Sequence, residues 1–272
     1  MTLRVLITGT SHCAALRAAV TLDPQSGALS HGGMDLRFAA VPNGLFAEMQ
    51  VNKGVLTARK GPARRALRHL NGQDAFALAE MDAVVVCGGL LSIHAVTRLY
   101  NEARWYPLPS LLVDEGVPPP GLALISERVA LASLGGMIRE GPMFPILRDV
   151  VAYGSCPVLI VQEPRLSQDA IGAGRKYQGF ARIAKGRDAA RLSALYDRAH
   201  EVACGTGAQA IVQPAQTRAG EYFTDARFRR GAVRLGLRAD VPQSADDMMH
   251  ANAAYGGLVL DQIARALSAA SA

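Results

Sequence analysis

Five short apolar runs punctuate the chain: Leu3 to Thr8, Leu36 to Val41, Ala83 to Cys87, Pro157 to Gln162 and Gln209 to Gln213. They are rich in β-branched residues, and their hydrophobicity is continuous rather than alternating. Strands buried on both faces of a parallel sheet read this way. Longer segments between them repeat apolar positions at helical spacing. Cys13 to Val20 and Pro62 to Leu70 are two of these. Arg187 to Cys204 carries Leu192, Leu195, Ala199 and Val202, and Tyr255 to Leu267 carries Leu258, Ile263 and Leu267. Strands alternating with helices predict a doubly wound α/β sheet, read here as a single domain over residues 1–272 without internal repeats. Two stretches break the rhythm. Tyr106 to Glu140, with Pro107, Pro109 and Pro118-Pro119-Pro120, reads as a loop or cover followed by an apolar helix around Val129. Glu163 to Gly186 is rich in Gly and polar residues and follows a strand, where loops of such sheets frame their sites.

Composition narrows the class. Half of the 272 residues are hydrophobic and 19% are charged, which suffices for a core and excludes general disorder. No apolar stretch approaches the roughly 18 residues that a bilayer span needs. The polar Thr8-Gly9-Thr10-Ser11-His12 cuts the first run short of a secretory signal. Cys13, Cys87, Cys156 and Cys204 show no CxxC spacing, and three of them sit beside apolar runs. Such thiols fit a reduced, cytoplasmic protein with no membrane association. The net charge of +6 comes mostly from scattered arginines. The densest group, Arg59, Lys60, Arg64, Arg65 and Arg68, has little aromatic interleaving and falls in a helix-like segment. It reads as a solvated helix face, so no nucleic-acid partner is expected.

Two segments carry candidate chemistry. Gly9-Thr10-Ser11-His12-Cys13-Ala14-Ala15-Leu16 leaves the first strand and opens a helix. A serine there stands at the sheet edge beside backbone N–H groups suited to an oxyanion. The same serine also suits a helix N-cap. Asp247-Met248-Met249-His250-Ala251-Asn252, then Tyr255-Gly256, precedes the last amphipathic helix. An Asp and a His three residues apart can meet across one turn, so that the carboxylate fixes the tautomer and the far nitrogen stays free to take a proton. Alternatively, these residues form a polar helix start, with Asp246 or Asp247 as its cap. There is no P-loop and no GxGxxG, so no cofactor is expected. His12, His94, His250 and Asp247 lack HxxxH or HExxH spacing, so no metal is expected either.

Together the two segments give the order Ser…Asp…His. At these residues the chain resembles the SGNH (GDSL-like) hydrolases. Gly9 to Leu16 is similar to that family's nucleophile block. Asp247 to Gly256 is similar to its Asp-x-x-His block, in particular to a bacterial branch in which the block continues as Asn and Tyr-Gly. The resemblance implies a flavodoxin-like three-layer α/β/α sandwich with a mainly parallel sheet. It implies Ser11 as nucleophile, His250 as general base and acid, and Asp247 as its orienter. The implied activity is a serine esterase acting on an acyl or acetyl ester, of a small molecule or a carbohydrate. An acyltransferase would use the same residues with an acceptor alcohol in place of water.

The family usually draws oxyanion donors from the serine N–H, a Gly N–H and an Asn side chain. Here the third strand exits as Val86-Cys87-Gly88-Gly89-Leu90-Leu91-Ser92-Ile93-His94. Gly88 and Gly89 would offer the backbone donor, and Leu90 or Leu91 stands where the Asn is expected. Ser92 and His94 are candidate substitutes. The glycines also read as a strand-end turn, and His94 as a helix-face histidine. His12, which reads as a brace for the loop or as a substrate contact, and Asn252 complete the expected oxyanion and substrate set. The missing Asn motivates an alternative, a non-catalytic small-molecule or glycan binder on the same scaffold. Two strand exits remain: Gln213 to Thr217, and Gln162-Glu163-Pro164-Arg165. Arg165, Arg175 and Lys176 would together favour an anionic substrate if they converge.

Overall fold

The computed structural model describes residues 2–22, 29–113, 117–203, 205, 207–235 and 241–270, and Cys204 lies outside them. The chain opens with β1 (Leu3–Gly9), α1 (Cys13–Ala18), β2 (Thr21–Leu22), β3 (Leu29–His31), β4 (Met34–Ala40) and α2 (Asn43–Phe46). A small unit of β5 (Met49–Asn52), β6 (Val55–Ala58), α3 (Gly61–Asn71) and β7 (Ala75–Ala77) leads to β8 (Ala83–Cys87). Next come α4 (Ile93–Glu102), β9 (Ala103–Tyr106), α5 (Pro109–Val113), β10 (Ala123–Ser126), α6 (Glu127–Glu140), α7 (Phe144–Tyr153) and β11 (Val158–Val161). The last third holds α8 (Gln178–Lys185), α9 (Ala189–Ala203), β12 (Gln209–Ile211), β13 (Arg218–Ala219), β14 (Phe223–Thr224) and α10 (Ala253–Ala270).

The central sheet has the order β12-β11-β8-β1-β4-β3-β2. From β12 to β4 every neighbouring pair is parallel, and β3 and β2 extend the edge antiparallel. By rank among the parallel strands this is the 2-1-3-4-5 order of flavodoxin-like sheets. The order reverses between β1 and β8, which opens a crevice beyond their carboxyl ends.

Side-chain alternation along β1 shows why its run is unbroken. Val5 and Ile7 face one helical layer, where they meet Leu16 of α1 and Tyr255, Val259 and Ile263 of α10. Leu6 faces the other layer, whose core includes Leu67 of α3, Val96 of α4, Leu134 of α6, Leu147 of α7 and Leu195 of α9. Both faces of the strand are apolar because both are covered. The result is a three-layer α/β/α sandwich.

The Tyr106–Glu140 stretch is more regular than a loop. It contains α5, then β10, which pairs in parallel with β9 as a separate two-stranded ribbon. The helix expected around Val129 is α6, but it buries Ala130, Leu134 and Ile138, and Val129 itself is exposed. The Glu163–Gly186 stretch likewise contains α8, which buries Phe180 and Ile183. Among the described residues, no helix is long and apolar enough to cross a membrane.

Candidate active site

The two strands that flank the crevice leave it at close quarters. A Cβ on Gly9 would lie 2.1 Å from the Cys87 carbonyl oxygen, so only glycine lets the exit of β1 press onto the exit of β8. Ser11 follows two residues later. It does not cap α1: the N-cap position belongs to His12, which makes no capping side-chain bond. The serine hydroxyl is therefore free for another partner, and it has one.

Ser11 Oγ lies 2.8 Å from His250 Nε2, across 239 residues of chain. His250 Nδ1 lies 2.8 Å from Asp247 Oδ2. With Nδ1–H donating to the carboxylate, Nε2 is left to accept the Ser11 proton. Asp247 and His250 meet across a turn of loop rather than of helix, because α10 starts only at Ala253. The turn is closed by the Met249 N–H, which donates to Asp247 Oδ1 at 3.0 Å. Burial pushes the Asp247 carboxyl up, but the bonds from His250 and Met249 outweigh it and hold it below the ordinary carboxylate range. It is thus ionised at neutral pH.

Several contacts bring the two ends of the chain together. A Cβ on Gly256 would fall 2.0 Å from the Ala15 carbonyl oxygen, so the first turn of α10 lies directly on α1. Asn252 anchors the loop before it. Its Nδ2 donates to the carbonyls of Arg227 at 2.8 Å and Arg230 at 2.7 Å. Its Oδ1 accepts the Tyr255 N–H at 3.2 Å. Arg229 braces the same loop, donating to the carbonyls of Asp247 at 2.8 Å and Ala245 at 3.0 Å. The Ser167 N–H adds a bond to the Met248 carbonyl at 2.9 Å.

No protein-family model matches the chain. No curated protein matches it either. Among solved structures, the chain is similar to phospholipase A1 from Streptomyces albidoflavus NA297, at 14% identity and a TM-score of 0.41, over 96% of this chain and 99% of that chain.

The expected oxyanion set is arranged differently from the sequence reading. Gly88 and Gly89 do take positive φ values of 69° and 73°, which glycine alone adopts readily. Their amides, however, already have acceptors. The Gly88 N–H donates to the Val161 carbonyl at 3.1 Å, and the Gly89 N–H to Glu163 Oε1 at 2.8 Å. Among the described residues, the N–H groups of Ser11 and His12 have no such acceptor. Leu90 and Leu91 are buried in the apolar core. Ser92 is the N-cap of α4 and accepts from the His94 N–H at 3.4 Å. The His94 ring sits edge-on to Phe180, and burial holds it below the ordinary imidazole range. Asn252 is a structural anchor, since both ends of its amide are occupied as described. The amides of Gly88, Gly89 and Asn252 are thus engaged with protein partners.

His12 lies against the Asp247–His250–Ser11 line, and Glu163 lies against His12. His12 is buried and stacks on His250, with ring centroids 5.0 Å apart and planes inclined by 23°. Its Nε2 is 3.7 Å from Glu163 Oε2. The sequence carried a signal for Glu163: a carboxylate placed just past a parallel strand at the crevice.

Arg165, Arg175 and Lys176, which would favour an anionic substrate only if they converged, have different surroundings. Arg165 is 1% exposed. It pairs with Asp197 at 2.8 Å and donates to Ser193 at 2.9 Å, whereas Arg175 and Lys176 lie on the surface. Gln213 and Thr217 belong to the same buried polar network: Gln213 Nε2 donates to Thr217 Oγ1 at 3.0 Å. Cys13 is fully buried, and its hydrogen bond to Cys87 together with burial pushes its thiol well up, so it offers no thiolate.

Proposed function

We propose that the protein is a serine esterase that cleaves an acyl or acetyl ester. The observation that carries this reading is the unbroken line from Asp247 through His250 to Ser11, with both links at 2.8 Å. Ser11 Oγ attacks the ester carbonyl as His250 Nε2 removes its proton. The carbonyl π electrons move to oxygen. They return as the C–O bond to the alcohol breaks, and the alcohol leaves with the proton from His250. Water then repeats the sequence and frees Ser11. Asp247 stays ionised throughout and holds the imidazolium. The N–H groups of Ser11 and His12, which have no acceptor among the described residues, are donors from which the oxyanion would draw support.

Acetyl esters of carbohydrates are a substrate class within this reading, and an acceptor alcohol in place of water would make the same site an acyltransferase. A second reading, ligand binding without turnover, is favoured by one observation: the Gly89 amide is occupied by Glu163 rather than open to an oxyanion. A fluorophosphonate probe separates the two. Labelling of wild type and its loss in Ser11→Ala is expected. Equal labelling of both, or none of wild type, overturns the esterase reading.

A further inference from the structure

Glu163 is an unusual neighbour for a serine nucleophile. Its side chain is only 11% exposed, yet no lysine or arginine pairs with it among the described residues. One oxygen takes the Gly89 N–H, and the other faces His12. His12 in turn lies flat against His250. Glycine at position 88 makes room for this arrangement, because a Cβ there would come within 2.9 Å of the His12 ring. The site thus contains two carboxylate–imidazole pairs whose rings lie against each other. Asp247–His250 is one, and Glu163–His12 is the other.

We infer that Glu163 and His12 are positioning residues for His250. The His12 ring fixes the plane in which His250 meets Ser11, and the Glu163 charge favours the imidazolium that His250 becomes. This rests on the esterase reading for its role in turnover, but not for the arrangement itself. Burial holds His12 below the ordinary imidazole range, against the pull of Glu163, so His12 presents a neutral face. A neutral ring can lie against a cation, whereas a second imidazolium would repel it. The charged and titratable groups around the four residues come from every adjoining element. Asp247 lies on the His250 loop. His94 of α4, with exposed Lys176 near it, and Tyr196 and His200 of α9 surround Glu163. Arg165 is turned away to Asp197.

The test is an NMR titration of the imidazole resonances in the full chain, followed beside the pH profile of kcat/KM for p-nitrophenyl acetate. Glu163→Gln keeps an oxygen for Gly89 and removes the charge. Its expected effect is to move the His250 midpoint, and the acid limb of the profile, to lower pH by about half a unit. Glu163→Asp keeps the charge and is expected to hold both nearer the wild-type position. His12→Ala is expected to lower kcat about tenfold with little change in KM, and His12→Phe to recover most of that loss. A His250 midpoint unmoved by Glu163→Gln, or equal kcat for His12→Ala and His12→Phe, overturns the inference. The midpoint is read without turnover. A shift in a protein that proves inactive therefore leaves the pairing standing and removes the esterase reading alone.

Discussion

The 2.8 Å contact between Asp247 Oδ2 and His250 Nδ1 favours a proton on Nδ1, and on the esterase reading this leaves Nε2 as the base for Ser11. An Asn at 247 would present an N–H₂ as readily as an oxygen. If it donates to Nδ1, the ring proton moves to Nε2 and points at Ser11. Asp247→Asn is therefore expected to lower kcat by about 10³–10⁴-fold while leaving the melting temperature nearly unchanged, measured on an activated aryl ester. A loss under tenfold would show that the carboxylate does not set the tautomer. The three residues of this line were legible in the sequence because strand exit, Ser and Asp-x-x-His are local patterns. The bond from Glu163 to the Gly89 amide was not, since it joins positions 74 residues apart. Nor was the use of Asn252, whose carbonyl partners lie in a segment with no pattern of its own.

At the scale of elements, the site depends on how closely α10 lies on α1. Gly256→Ala would drive its Cβ into the Ala15 carbonyl, and relief requires the two helices to separate. Since Ser11 precedes one helix and His250 the other, the 2.8 Å link between them would lengthen with that movement. The expected result is a destabilisation of about 1–3 kcal/mol by denaturant unfolding, with a larger proportional loss of esterase activity. An unchanged variant would mean that the helices adapt without moving the site. β1, β8 and β11 were legible because each is a covered, nearly continuous apolar run, whereas β4 alternates with Asp35 and Arg37 and β12 is a short edge strand with Gln209 exposed. The edge and hairpin strands were not: β2, β3 and β5 to β7 span two to four residues each, too few for alternation to register. The β5–β6 turn did leave a mark in Asn52-Lys53-Gly54, where Lys53 and Gly54 both take positive φ, as a tight hairpin demands.

Across the whole molecule, buried imidazoles set the response to acid. Burial holds His12, His94 and His200 below the ordinary imidazole range. The unfolded chain then binds protons that the folded one resists. The stability they confer is complete above about pH 6.5 and is lost as pH falls toward their folded values, by up to about 1.4 kcal/mol per pH unit for each proton. Asp247 adds a second loss at lower pH, beginning near the ordinary carboxylate value of about 3.9. The melting temperature is expected to begin falling near pH 6.5, and His200→Gln to flatten that first decline. A melting temperature level down to pH 5 would contradict this.

Ser11 and His250 stand 239 positions apart, so their link exists only where tertiary packing holds α1 against α10. A contact between positions so distant forms only once the sheet between them is in place. Without α10 docked, the Ser11 hydroxyl has no imidazole beside it and is an ordinary alcohol. On the esterase reading, reactivity would therefore report the folded state, and loosening of that packing would remove it at the first step.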